Sequence, residues 1–265
     1  MRFTILTPTY NRARFLGGVY ESLRAQTFQD FEWVVVDDGS TDGTCDLVSS
    51  WKSRLPIRYV WKPNGGMHTA INLGVQMARG QFTAKLDSDD SLLPHALERV
   101  DYHWRQIEDQ KRFAIVVALC LREDGTVVGG RLPRDRVDVF SVGQLAALTD
   151  GGQWGTARTD VLRKFPFPIW KNERYVTESL VWNRILHRYG ARFVDEPLHI
   201  YRVTPGSMSR SGDLRWSSPK GAVLFHAELA LSDAPFKMRL KSAVNALRFS
   251  AVAAARQLLS LTSVE

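Results

Sequence analysis

The chain has 265 residues, 44% of them hydrophobic, which suffices for a sizeable core in one large domain or two fused halves. Lys and Arg number 35 against 28 Asp and Glu, and the net charge of +7 favours anionic partners without choosing among nucleic acid, anionic lipid and phosphorylated sugars. Two distant cysteines, Cys45 and Cys120, form no CxxC pair, which argues against a zinc site or a disulfide scaffold and for a reducing compartment. The N-terminus MRFTILTPTY has no apolar run of signal-peptide length, and the longest strongly apolar run, Ala114 to Leu121, falls far short of a membrane span, so a cytoplasmic chain is expected.

Along the first hundred residues strands and helices alternate. Phe3 to Leu6 reads as a buried strand. Asn11 can cap a helix whose apolar face is Phe15, Leu16, Val19, Tyr20 and Leu23. Trp33 to Val36 is a second buried strand, and Ser40, Thr41 and Asp42 offer caps for a helix burying Val48 and Trp51. Ile57 to Trp61 is a third strand, followed by a helix from about Met67 that Gly80 would stop. Gln81 to Leu86 is a fourth strand, and Pro94 suits the first turn of a helix carrying Leu97, Val100, Trp104 and Ile107. Such alternation predicts an α/β fold with a mostly parallel sheet covered on both faces. Ligands of such sheets bind beyond the carboxyl ends of the strands.

The second half is less regular. Ala114 to Leu121 reads as a strand and EDGT as a turn. A loop is expected near Gly151, Gly152, Trp154 and Gly155. Thr177 can cap a helix to about Tyr189 with Gly190 as its stop, and Arg192 to Val203 should be extended. From Phe236 to Leu259, residues Leu240, Val244, Leu247, Ala251 and Leu258 share one side of a helix with basic and no acidic neighbours. This segment either lies on an anionic membrane or packs on the domain as a terminal helix. The expected division is a regular strand–helix half over 1–110, a less regular half over 111–218, and a helical tail over 219–265.

The chemistry sits at strand ends. In Asp87-Ser88-Asp89-Asp90 three carboxylates repel one another, and a cation would relieve them. Oxygen ligands suit Mg²⁺ or Mn²⁺ bridging Asp89 to a substrate diphosphate, with Asp87 near the ribose or on the metal. The competing reading is a solvated turn that caps the next helix. Asp37-Asp38 ends the second strand and could accept from a base or ribose, or simply cap a turn. Tyr10, in Thr7-Pro8-Thr9-Tyr10-Asn11, could stack on a base. The segment Lys62 to His68 could bring backbone and a helix N-terminus to a phosphate, although neither a Walker loop nor GxGxxG is present. His68, His199 and His226 read more readily as packed or solvated residues than as ligands, and Trp154 as either core or a sugar platform.

Together TPTYNR, the run ending in DFEWVVVDDGSTDGT, KPNGGMHTAINLGVQMARG and LDSDD resemble the family 2 inverting glycosyltransferases of the GT-A fold, densely over residues 1 to 100 and loosely from TESLVWNRI to LHIYR. The resemblance implies that Thr7, Pro8, Thr9, Tyr10 and Asp38 hold the nucleotide, often uracil. It implies that Asp87, Ser88 and Asp89 are the DXD motif with Asp89 on the metal, and that Lys62 and Asn72 line the donor pocket. It implies an acidic base at Glu178, where Ser179 departs from the family's following aspartate. A carboxylate at a helix N-terminus suits a base taking the acceptor hydroxyl's proton. The expected partners are a nucleotide-sugar donor and a glycan or glycolipid acceptor, with peripheral contact to an anionic membrane. The alternatives are a non-catalytic nucleotide-sugar binder or assembly partner, and a sugar-phosphate nucleotidyltransferase, whose glycine-rich first loop is absent. Nucleic acid ranks last because the basic residues are scattered.

Overall fold

The computed structural model describes residues 1–51, 55–148, 151–204 and 214–262, the last five as backbone. β1 (Phe3–Thr9), β2 (Phe31–Asp37), β3 (Ile57–Trp61) and β4 (Phe82–Lys85) form a parallel array in the order β3-β2-β1-β4. Every residue of β1 and β2 is buried, because helices cover both faces of the sheet. The period-two alternation of strand side chains divides the core. Phe3, Ile5, Trp33 and Val35 pack with α1 (Ala13–Arg24), while Leu6, Val34 and Val36 pack on the other face with α3 (Met67–Met77). Each fully buried side chain of the size of Leu or Phe contributes about 1.5–3 kcal/mol.

The expected elements of this half are present, with instructive differences at their ends. Asn11 does not cap α1. It adopts a positive φ of 53°, and its Oδ1 accepts the Thr41 amide at 2.8 Å. The first-turn amide of α1, on Ala13, donates instead to Asp42 Oδ2 at 2.9 Å. The loops after β1 and β2 thus cap one another, and α2 (Thr44–Ser50) follows. α3 ends before Ala78, so Gly80 is not its stop. A Cβ at Gly80 would lie 2.4 Å from the Phe3 carbonyl carbon, and its amide donates to Thr4 Oγ1 at 2.9 Å, so it is a point of close chain approach.

The same sheet runs on through the second half. The segment expected to loop around Trp154 and Gly155 is instead β8 (Gln153–Arg158), which inserts antiparallel between β4 and β6 (Phe113–Leu121). β9 (Gly190–Ile200) pairs parallel with β6, and two short strands, β5 (Ser91–Leu92) and β7 (Arg136–Val139), flank it antiparallel. Gly190, expected as a helix stop, is the first residue of β9. Of the helices, α4 (Ala96–Arg105) joins the face of α1, and α7 (Glu178–Leu186) that of α3; between them in the chain lie α5 (Val142–Leu148) and α6 (Thr159–Leu162).

After residue 213 the chain is helical: α8 (Leu214–Ser217), α9 (Pro219–Leu231) and α10 (Phe236–Thr262). α10 packs on α9. Among the described residues no helix is long and apolar enough to cross a membrane. The Leu258 side chain and residues 263–265 of the tail lie outside the described residues.

Candidate functional site

A cleft of about 490 Å³ opens at the carboxyl ends of β1, β2, β3 and β4. Its first wall carries Pro8, Thr9 and Tyr10 from the end of β1, Asp38 after β2, and Asn64 and Gly66 after β3. Its floor carries Lys85 and Asp87 to Asp90, and its second wall Arg174, Tyr175, Glu178, Tyr201 and Arg202. Parallel strands place all four loops at one edge, so residues far apart in sequence meet there.

Asp38 organises the first wall. Its amide donates to Thr9 O at 2.8 Å, tying the ends of β1 and β2. Its buried carboxylate accepts from Lys62 Nζ, the Gly65 amide at 3.0 Å and the Gly66 amide at 2.8 Å. Gly66 has φ +94°, and a Cβ there would meet the Arg174 carbonyl oxygen at 2.2 Å, so the two walls touch only because this residue is glycine. Tyr10 is 49% exposed, as a stacking platform requires. Thr9 Oγ1 is buried at the cleft with no hydrogen-bond partner among the described residues.

The expected donor-site residues do not all reach the cleft. Thr7 is fully buried and its Oγ1 accepts the Trp33 indole N–H at 2.9 Å. Lys62 acts on the cleft through Asp38. Asn72 lies elsewhere: its side-chain amide donates to Phe167 O and accepts the Phe167 N–H, both at 2.8 Å, clamping the second half onto α3. Trp154 is core, donating to Lys85 O at 2.8 Å and stacking on His199. None of His68, His199 and His226 lines the cleft. Burial holds the pKa of His68 below the ordinary histidine value, with Asp38 pulling the other way.

Each of the Asp87, Asp89 and Asp90 carboxylates has a side-chain partner of its own. Asp87 pairs with Lys85 at 2.9 Å, Asp89 with Arg12 at 2.9 Å, and Asp90 with His199 at 3.1 Å. Asp90 also accepts the Arg202 amide at 2.8 Å, so it fixes the end of β9 and is spent structurally. Asp89 accepts in addition from Thr204 Oγ1. Lys85 reaches across the floor to Glu178 Oε1 at 2.5 Å. Burial opposes the Lys85 charge, but Asp87 and Glu178 together outweigh it and raise its pKa above the ordinary lysine value.

A divalent cation fits this donor set. Asp87 and Asp89 offer hard oxygen ligands facing the cleft, and no group of three or more His, Cys, Asp or Glu that could hold a metal occurs among the described residues. Mg²⁺ and similar ions typically take one or two protein carboxylates and complete their shell with substrate phosphate and water.

Arg12, Lys85, Arg174, Tyr201 and Arg202 also line the cleft, with no role expected of them from sequence. Arg12 and the Tyr201-Arg202 pair stand inside the resembling segments TYNR and LHIYR, and Lys85 directly precedes LDSDD, so their positions were visible although their partners were not.

Residues 4–119 match the family model for Glycosyl transferase family 2. An uncharacterized glycosyltransferase of Nostoc sp. is 38% identical over 102 residues, which are 38% of this chain and 32% of that protein. The chain therefore matches about a third of that relative's length. In three dimensions, residues 1–349 of S. aureus TarS in complex with UDP-GlcNAc superpose with a TM-score of 0.69 at 20% identity, covering 95% of this chain and 72% of that fragment. The mannosyltransferase PcManGT of Pyrobaculum calidifontis, in complex with GDP-Man and Mn²⁺, gives 0.60 at 19% identity, covering 99% of this chain and 79% of that one. Residues 4–119 thus resemble the family 2 glycosyltransferases, and the whole chain shares the GT-A fold of these structures through its second half.

Proposed function

We propose that the protein transfers a sugar from a nucleoside diphosphate donor to a hydroxyl of a glycan or glycolipid acceptor, with inversion at the anomeric carbon. The observation that carries this reading is that Glu178 and the Asp87–Asp89 motif face one another across one cleft, joined by Lys85. Tyr10 stacks on the base, and Asp38 holds the loop that meets the nucleoside. Asp87 and Asp89 hold Mn²⁺ or Mg²⁺, which when bound neutralises charge on the leaving diphosphate. Arg12, Arg174 and Arg202 add positive charge to the same cleft. Glu178, at the N-terminus of α7, takes the proton of the acceptor hydroxyl on an Oε atom as that oxygen attacks the anomeric carbon from the face opposite the leaving group. Lys85 holds that carboxylate in place.

The two structural neighbours carry different nucleotides, UDP-GlcNAc and GDP-Man, so the choice of base must come from residues of this chain. Uracil is the working expectation. Thermal shifts with UDP, GDP, CDP and dTDP, each with and without Mn²⁺, test the reading. A ligand at a hundred times its Kd stabilises the fold by about 2.7 kcal/mol. The expected result is a shift with one nucleotide that depends on Mn²⁺ and is lost in Asp89→Ala. No shift with any of the four would overturn the donor site.

A further inference from the structure

α10 buries one face and leaves the opposite one bare. Ser242 and Phe249 are buried, and the Phe249 ring lies 4.8 Å from Trp216 and stacks on His226 at 5.7 Å. At about 100° per residue, Phe236, Val244, Leu247 and Ala251 fall within roughly 40° of Leu240, on the side away from Phe249. Phe236 and Leu247 are each 74% exposed, Leu240 56% and Val244 51%. Single exposed apolar residues are ordinary, but a stripe in helical register is a surface with a partner. Leu231, at the end of α9, is 85% exposed as well.

The charges bordering the stripe say what that partner is. Lys237, Lys241 and Arg248 lie along one border and Arg239 along the other, and no Asp or Glu occurs from 236 to 262. α9 and α10 form a helical hairpin, and all three arginines of α10 brace it against α9 or the adjoining α8. Arg239 donates to Ala230 O at 3.0 Å, Arg256 to Ser217 O at 2.8 Å, and the Arg248 guanidinium lies 5.6 Å over the Trp216 ring. Lys237 and Lys241 are exposed at the edge. A second copy of this face would bring like charges together, whereas an anionic lipid surface complements both the stripe and its border. Apolar side chains enter the headgroup boundary while lysine stems lie along it.

We propose that α10 lies flat on an anionic membrane surface through Phe236, Leu240, Val244 and Leu247, with Lys237 and Lys241 on the lipid headgroups. The hairpin that presents this face is bonded to the cleft. Ser218 Oγ accepts the amides of Arg174 and Tyr175, each at 3.1 Å, and Glu173 accepts those of Lys220 and Gly221 at 2.9 and 3.1 Å. Membrane docking therefore sets the second wall of the cleft in a fixed relation to the lipid surface.

The test is flotation of the full chain with vesicles of phosphatidylcholine alone or mixed with phosphatidylglycerol, with no donor present, so it reads docking independently of sugar transfer. The wild type floats with the anionic vesicles and stays behind with the neutral ones. A basic residue near such a surface is worth about 1 kcal/mol, or roughly fivefold, so K237Q with K241Q weakens partition about 25-fold. L240S with L247S weakens it more than tenfold. Both pairs are exposed and outside the cleft, so their melting temperatures match the wild type and serve as the folding control. Failure of the wild type to float with anionic vesicles, or flotation of L240S/L247S equal to wild type, overturns the proposal. So does a dimer in sedimentation that L240S/L247S abolishes while vesicles leave the protein in solution.

Discussion

Lys85, the last residue of β4, and Glu178, the first residue of α7, are 93 positions apart in sequence and bonded Nζ to Oε1 at 2.5 Å in the fold. The same ammonium holds Asp87 at 2.9 Å, so one lysine ties the motif after β4 to the carboxylate across the cleft. Lys85→Met removes that tie and leaves two carboxylates without their cation. The expected result is a fall in kcat on the order of 10²-fold, the lower end of what a positioned proton acceptor supplies. Activity within twofold of wild type would show that the tie does not position Glu178.

Glu178→Gln keeps the shape and loses the proton acceptor. Nucleotide-dependent thermal shifts should match the wild type, while turnover falls roughly 10²- to 10⁴-fold. Loss of the nucleotide shift along with turnover would place Glu178 in donor binding instead.

Gly66→Ala tests the contact between the two walls. An L side chain is strained at φ +94°, and its Cβ would strike the Arg174 carbonyl. Stability should fall by more than about 1 kcal/mol, and the nucleotide shift should shrink, because the Gly66 amide also serves Asp38. Chemical denaturation of wild type and variant reads the first effect directly.

Glu196 supplies a pH dependence away from the cleft. Hydrogen bonds from Arg99, at 2.7 and 2.6 Å, hold its carboxyl below the ordinary glutamate value, against burial and with help from His103. A depressed carboxylate contributes stability that is present above its unfolded pKa, about 4.3, and is lost as pH falls through the lower folded value. Glu196→Gln should therefore be less stable than wild type at neutral pH, with the difference narrowing below about pH 4. A constant difference down to acid pH would exclude linkage through this group.

Much of the first half was legible because its signals are local. Apolar runs of strand length, helical spacing on α1, and the polar residues at each strand end all lie within a few residues of one another. The second half hid β8, because Gln153 to Arg158 is short, begins beside two glycines and has no continuous apolar run. Its strand character comes from pairing with β4 and β6 on either side. Trp154 looked suited to a sugar platform or to the core, and the fold buries it, its indole N–H on Lys85 O and one ring face on His199.

The alternation of strands and helices, the carboxylates after β4 and the loops that ring the cleft can be read from the chain alone, since each depends on near neighbours in it. The pairing of Asp89 with Arg12, of Asp90 with His199 and the Arg202 amide, and the clamp of Asn72 on Phe167 outside the cleft come from the folded arrangement. These partners are 77 to 112 residues apart in the chain. A charge or an amide carries no local mark of the partner it will meet; sheet order and helix packing choose that partner, and with it the role of the residue.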